Sequence, residues 1–295
     1  MPHDVAVKGS TPDPMAGHDA FTPGEIATLV ETRGVARAEA PAITTFVLAV
    51  VAGAFIALGA VLSTTVASGS TLGLGPTRWL AGIAFSLGLV LVIVAGAELF
   101  TGNNLIVMSV VAGHVKIGRL LRNWAIVYVG NAIGAVSVVV IVTLAEWWRL
   151  GEATVGATAL STAAGKTQLS FGAVLARGVL ANALVCLAVW LATGGRTVLD
   201  KVVAVVFPIS AFVAAGFEHS IANMFFIPMG LVLRENETVV EASDVHATDL
   251  AALDPAGMVT NLAASTIGNV IGGSLLVGLV YWFVYLRPAA RGDES

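Results

Sequence analysis

Glu98 is the only Asp, Glu, Lys or Arg in the 37 residues between Arg78 and Lys116, and Glu218 is the only one in the 32 residues between Lys201 and Arg234. An asparagine follows each acid five residues on, Asn103 and Asn223, and glycine lies close to both. His219 stands next to Glu218. Three kinds of chemistry are open to such a set: an acid–base pair for catalysis, the polar lining of a passage, or buried anchors for irregular backbone. The first has little support. Adjacent residues point in different directions, so Glu218 and His219 would not share one substrate. The chain also has no glycine-rich phosphate loop, nucleophile elbow or paired-histidine metal motif to accompany them. Cys186 is the only cysteine, which excludes a disulfide framework and a cysteine-based metal site. No cofactor and no metal are expected.

The composition says what surrounds these groups. Of 295 residues, 57% are hydrophobic and 12% are charged, about half the roughly 25% charged content of a globular domain. Mean hydropathy is +0.88. A soluble domain of this size needs a charged shell that the chain cannot supply, and a disordered chain needs far less apolar content. The net charge of -4 leaves no basic face to neutralise phosphates, so a nucleic-acid partner is excluded. The chain reads as an integral membrane protein, with the lipid bilayer as its solvent.

Apolar spans fall near 43–67, 79–114, 124–148, 171–193, 202–233 and 258–286. The second and fifth contain the two acids. As straight helices they would be about 55 and 48 Å long at about 1.5 Å per residue, too long for one crossing and barely enough for two plus a turn. Each is therefore expected to be one crossing broken in the middle, with irregular backbone that lines a cavity instead of facing lipid.

Charge placement fits six crossings. With the N-terminus inside, the inner segments carry Lys8, Arg33, Arg37, Lys116, Arg119, Arg122, Arg196, Lys201, Arg287 and Arg291. The outer loops carry only Arg78, Arg149, Lys166 and Arg234, with Arg177 inside a span. This bias follows the positive-inside rule and puts both termini in the cytoplasm. Residues 1–21 lack a basic start and an apolar core, so they are expected to form a disordered cytoplasmic tail, with no cleaved signal peptide. Thr22-Pro23-Gly24-Glu25 reads as a capping box with proline at the first helical position. Ile26, Leu29 and Val30 follow at helical spacing, so 22–41 is expected to hold an amphipathic helix, on the membrane surface or as a plain surface helix. Residues 42–287 form the six-helix transmembrane domain and 288–295 a second cytoplasmic tail.

The halves of the chain repeat. Gly130-Asn131-Ala132-Ile133-Gly134 matches Gly268-Asn269-Val270-Ile271-Gly272, and Asn123 matches Asn261, all at an offset of 138. Glu98 and Asn103 match Glu218 and Asn223. Three spans per half is an odd number, so the halves must run in opposite directions through the membrane. Inverted repeats with paired broken helices are a recurring transport architecture, with the site near the midplane.

Several motifs now converge on one family. The stretch Gly216-Phe217-Glu218-His219-Ser220-Ile221-Ala222-Asn223-Met224-Phe225-Phe226-Ile227-Pro228-Met229-Gly230 resembles the signature of formate/nitrite transporters. So do Glu98-Leu99-Phe100-Thr101-Gly102-Asn103, the segment Gly178-Val179-Leu180-Ala181-Asn182 followed by Val185-Cys186-Leu187-Ala188-Val189-Trp190, and Gly272-Gly273 leading into Leu275-Leu276-Val277-Gly278-Leu279. The similarity runs from about residue 22 to residue 287 and is closest to the formate channels. It implies an all-α integral membrane protein of six transmembrane helices, arranged as two inverted three-helix repeats with broken second and fifth helices, as in aquaporins. It also implies a homopentamer of the bacterial inner membrane with one pore per protomer.

The resemblance further implies roles. His219 falls on the central pore histidine, and Lys166, in the loop before the fourth span, on the lysine that attracts anions in the outer vestibule. Thr101 and Asn182 match polar groups near the pore centre, and Phe85, Leu89, Leu99, Phe100 and Phe212 are the expected apolar constrictions. By the residues alone, His219 could be a buried histidine bonded to a neighbouring helix, Lys166 plain surface, Thr101 and Asn182 helix-packing glue, and the apolar set core or lipid-facing. A pore for anions should not expose two carboxylates. Glu98 and Glu218 are therefore expected to turn away as anchors that accept hydrogen bonds from backbone freed by the breaks, helped by Asn103 and Asn223. Asn131 and Asn269, flanked by glycines, fit close helix packing, and His114 and His246 fit solvated positions.

The expected function is a transmembrane channel for formate and related small monovalent anions. Formic acid is about as acidic as Asp or Glu, with a pKa near 4, so almost none is neutral at pH 7. A bare carboxylate at the bilayer centre costs several kcal/mol, so the anion must be attracted and then have its charge reduced, with His219 as the group that lends a proton. The rivals are nitrite or hydrosulfide as cargo and, from another class, a membrane-embedded enzyme using Glu218 and His219.

Overall fold

The computed structural model describes residues 20–287. Lys8, Arg291, the tail expected at 288–295 and all but the last two residues of the tail expected at 1–21 lie outside the described residues. Every regular element among the described residues is helical.

The first helix, α1 (Pro23–Glu39), starts as its sequence dictates. Glu25 N donates to Thr22 Oγ1, and Thr22 N donates back to Glu25 Oε2 at 2.8 Å, which satisfies donors that a helix start leaves orphaned. Its apolar face packs on the helix bundle. Ile26, Ala27 and Val30 are buried against Met108, Cys186 and Trp190 of the bundle, Arg33 Nη1 donates to Thr193 Oγ1 at 3.0 Å, and Ser109 Oγ donates to the carbonyl of Glu31. Protein atoms, being nearer, take the contacts that the amphipathic pattern reserves for lipid. His114 is largely exposed, as expected of a solvated residue, yet its Nδ1 lies against the Glu31 carboxylate. His246 is exposed.

Then come α2 (Ala42–Ala67) and α3 (Leu74–Ala95), a 3-10 turn (Gly102–Ile106) running into the short α4 (Val107–Val111), and α5 (Ile117–Leu144). The second half opens with α6 (Thr154–Thr167), followed by α7 (Phe171–Gly194), α8 (Val198–Ala215) and α9 (Ser220–Leu233). The short α10 (Glu237–Glu241) and α11 (Ala247–Ala252) lead to α12 (Pro255–Val270), which widens into a π-helix (Ile271–Leu279) and ends as α13 (Val280–Tyr285). Among the described residues, six stretches are long and apolar enough to cross a membrane: α2, α3, α5, α7, α8 and the composite Pro255–Tyr285. The shorter Gly102–Val111 and Ser220–Leu233 complete the second and fifth spans.

Both breaks have the same cause. Gly96 and Gly216 adopt left-handed conformations, φ 81° and 73°, which terminate α3 and α8 at almost no steric cost because glycine has no Cβ. The third span was expected to begin near residue 124, but α5 starts seven residues earlier, because Arg119 and Arg122 sit on a helix that continues past the apolar region. A charge marks the membrane boundary; it does not end a helix. The segment holding Lys166 is likewise a helix, α6, and not a loop.

Glycine sets how closely the helices approach. A Cβ on Gly134 of α5 would collide with the Val50 carbonyl of α2, and a Cβ on Gly272 would collide with the Val179 carbonyl of α7. The expected outcome is that Gly272→Ala lowers the melting midpoint of the detergent-purified protein, since backbone cannot yield cheaply and overpacking costs about 1–3 kcal/mol. Gly118→Ala, which meets nothing within 4 Å, should leave the midpoint unchanged or raise it slightly. Equal midpoints for both variants would remove close approach as the reason for the Gly-Gly pair.

Candidate functional site

The site is built around the two breaks, each held by one asparagine from the last helix of its half. Asn131 Nδ2 donates to the Ala49 carbonyl at 2.7 Å and the Glu98 carbonyl at 2.9 Å, while its Oδ1 accepts from Phe100 N at 3.0 Å. Asn269 Nδ2 donates to the Gly178 carbonyl at 2.8 Å and the Glu218 carbonyl at 3.0 Å, while its Oδ1 accepts from Ser220 N at 2.9 Å. The expectation for these two residues was close packing alone. Their glycine neighbours do that; the amides themselves occupy backbone groups that the breaks set free.

The acids form a second tier. Glu98 Oε2 accepts from Asn103 Nδ2 at 2.6 Å, and Glu98 Oε1 lies 3.2 Å from Arg37 Nε. Glu218 Oε2 accepts from Asn223 Nδ2 at 2.7 Å, and Glu218 Oε1 accepts from Lys166 Nζ at 2.9 Å. Asn103 and Asn223 also donate to Asn123 and Asn261, whose own amides donate to the carbonyls of Arg37 and Lys166. The acids were expected to accept from freed backbone. They accept instead from side chains, because Asn131 and Asn269 already hold the backbone.

Lys166 is therefore not a lone loop lysine. It projects from α6, its side chain is 15% exposed, and Glu218 (3% exposed) compensates its charge. The pairing also identifies α6 as the counterpart of α1, since Arg37 and Lys166 make equivalent bonds 129 residues apart. The sequence signal for this was faint: α1 and α6 share little beyond one basic residue near the end.

Two spaces approach each other across the breaks. The larger, about 450 Å³, is lined by Lys166, Glu218, His219, Phe85, Phe212 and Phe226 among others. The smaller, about 40 Å³, is lined by Arg33, Arg37, Gly102 and Thr193 among others. Thr101 precedes Gly102 and bonds to His219, with 3.0 Å between Oγ1 and Nε2. His219 borders the larger space and Gly102 the smaller, so this hydrogen bond ties their walls together as a septum.

Its polarity follows from its partners. His219 caps α9, and its Nδ1 accepts from Ala222 N at 3.1 Å. A nitrogen that accepts carries no proton, so the ring proton of neutral His219 is on Nε2, and Nε2 donates to Thr101 Oγ1. The Thr101 hydroxyl is then free to donate onward. Phe212 stacks on the imidazole at 5.9 Å between centroids and meets Phe85 edge-on at 5.6 Å.

Four further expected residues border neither space, and one residue that does was not expected. Asn182 is fully buried and borders neither space; its amide donates to Asn104, to the Asn269 carbonyl and, more weakly, to the Thr101 carbonyl. It positions Thr101 instead of facing the cargo. Phe100 packs edge-on against Trp124 and Tyr128 of α5, which turns it from both spaces. Phe226 went unnoticed and borders the larger space beneath Lys166, whose ammonium lies 5.4 Å from its ring. Leu89 and Leu99 are buried in the core and border neither space. Among the described residues, no three His, Cys, Asp or Glu side chains converge as a metal site would require.

A sequence model of the formate/nitrite transporter family matches residues 24–283. The formate channel FocA of Escherichia coli K12 is 42% identical over 275 residues, covering 91% of this chain and 96% of that protein. A probable formate transporter of Methanothermobacter thermautotrophicus is 35% identical, over 92% of this chain and 99% of that protein. Among solved structures, a pentameric formate channel with formate bound superposes with a TM-score of 0.75 at 35% identity, covering 83% of this chain and 98% of that one. An FNT family ion channel gives 0.74 at 27% identity, covering 88% and 98%.

The Lys166–Glu218 pair makes a specific demand on stability. Lys166→Met leaves a buried carboxylate without its cation, so it should destabilise the protein by about 3–5 kcal/mol. Adding Glu218→Gln should recover much of that loss, because a neutral amide needs no counter-charge. Thermal unfolding in detergent checks this. A double variant no more stable than Lys166→Met would mean that the lysine acts through something other than the acid.

Proposed function

The chain belongs to the formate/nitrite transporter family, and from that premise we propose that it carries formate and related small monovalent anions across the bacterial cytoplasmic membrane. The assembly is a homopentamer, each protomer holding its own route, with both termini on the cytoplasmic side and the two halves of the chain inverted relative to one another. The chain's work is transport and not catalysis. The observation that carries this reading is the septum. A neutral imidazole donates to a hydroxyl that is free to donate toward a passing anion, and the two stand where the broken spans meet between two spaces.

Each residue then has a job. Phe85, Phe212 and Phe226 strip water from the cargo on the side of the larger space, while the buried Leu89 and Leu99 close the path beside the septum. Thr101 and His219 replace the lost water hydrogen bonds. The counter-charges on Glu98 and Glu218 keep both carboxylates from repelling the anion.

His219 is also the group able to lend a proton, so that a neutral acid crosses, and its cap bond sets the terms. To lend a proton from Nε2 and remain neutral, the ring must first take a second proton on Nδ1, the nitrogen that Ala222 N–H occupies. Proton transfer is thereby linked to release of the α9 cap.

Sealed vesicles offered formate, nitrite, hydrosulfide and chloride test the cargo; formate uptake no better than chloride uptake would end the reading. His219→Asn tests the proton. Asparagine is a good helix cap and a hydrogen-bond donor, but it does not titrate. The variant should fold, pass formate down its gradient, and lose most of the accumulation driven by an imposed inward proton gradient. Accumulation equal to that of the unmodified protein would show that the proton takes another path.

A further inference from the structure

We propose that the larger space captures its anion at Arg78 and Arg177, a pair of guanidinium groups converging on Gly216, and not at Lys166. The inference rests on the transport reading above and names the capture site within it. Lys166 is held by Glu218 at 2.9 Å, and a lysine paired with a buried carboxylate contributes little net field to an approaching ion. The larger space nevertheless has two more cations in its wall, Arg78 from the first turn of α3 and Arg177 from α7.

Their geometry is specific. Arg177 Nη1 makes a long 3.4 Å contact with the Gly216 carbonyl. A Cβ built on Gly216 would lie 2.5 Å from Arg78 Nη2, so the Arg78 guanidinium rests on the bare glycine backbone. Gly216 thus serves twice: its φ of 73° ends α8, and its missing side chain admits a cation. Neither arginine has a carboxylate within 4 Å among the described residues. Arg78 is half-buried, whereas Arg177 is exposed although it lies well inside a membrane-spanning helix.

An arginine in a span without an acid partner is costly unless it faces water or a ligand. Most of the ten N–H donors of the pair have no partner among the described residues. Such forks match planar oxyanions two bonds at a time. The ligand class is a small monovalent carboxylate, held where the break begins, with His219 three residues beyond Gly216.

Two readouts test the site, one through flux and one without it. In sealed vesicles at low ionic strength, Arg78→Gln with Arg177→Gln should raise the half-saturating formate concentration roughly tenfold, with maximal flux within about threefold of the unmodified protein. The difference should shrink as salt screens the charges, and Arg177→Lys should restore the affinity only in part. Arg149→Gln, at an exposed position paired with Glu146, is the control. Separately, phenylglyoxal should modify Arg78 and Arg177 in the detergent-purified protein more slowly with sodium formate than with the bulkier gluconate at equal ionic strength.

A half-saturating concentration no higher than that of the control, or labelling indifferent to formate, overturns the proposal. If the unmodified protein moves no formate, the transport reading fails, and the labelling comparison still decides whether the arginines bind the anion.

Discussion

A backbone that breaks inside a bilayer must find partners for the peptide groups it frees, and that requirement organises the rest of this structure. Water is not there to help, and each buried group left unpaired costs about 1–3 kcal/mol. Asn131 and Asn269 answer it with three bonds each, two donated and one accepted, which uses an amide's capacity almost fully. Only a side chain that both donates and accepts can do this at one point. A carboxylate cannot donate, and an ammonium cannot accept. The close approach allowed by Gly134 and Gly272 brings the asparagine-bearing helices near enough for the bonds to form.

The frame is duplicated, and the chemistry sits where the copies differ. Arg37–Glu98–Asn103–Asn123 and Lys166–Glu218–Asn223–Asn261 repeat the same cation–acid, amide–acid and amide–amide contacts. His219 corresponds to Leu99 and Thr101 to Ile221 at the offset of 120 that relates the breaks. One half thus supplies the imidazole, the other the hydroxyl, and each faces an apolar residue in the opposite copy. A symmetric pair of histidines would set two titrating groups against each other; a symmetric pair of leucines would offer the anion nothing.

Much of this was legible in the sequence for a physical reason. Membrane spans announce themselves through the scarcity of charge, and a lone acid in an overlong apolar run has few explanations. The capping box at Thr22 and the spacing of Glu98 to Asn103 and Glu218 to Asn223 are local, so they survive translation into structure. The misreadings share one cause: they concern partners distant in the chain. Lys166 looked unpaired because Glu218 lies 52 residues away. Asn131 looked like packing because its three partners lie 31 to 82 residues away. α6 was missed because alanine, threonine and glycine give no hydrophobic period, and only its equivalence to α1 betrays it. Arg177, set aside as a residue within a span, was the charge whose placement most needed a reason.

The distribution of charge follows from a conflict between capture and release. An anion held by an uncompensated cation at the centre of the membrane would bind too tightly to leave, because attraction grows as the local dielectric falls. The two partly buried cations beside the acids, Arg37 and Lys166, are therefore each matched by a carboxylate, and those pairs serve the frame. Cations without a carboxylate partner among the described residues stand toward the ends of the proposed route: Arg33, bonded to Thr193, beside the smaller space, and Arg78 and Arg177 in the wider vestibule, where water weakens their hold on an anion. Between the vestibule and the opposite space stand only neutral donors. A hydrogen bond from Thr101 or His219 offsets part of the lost hydration without adding a charge that the departing ion must escape. The same logic explains why the septum residue is a histidine and not an arginine. A guanidinium there would carry a permanent charge, whereas an imidazole can stand neutral.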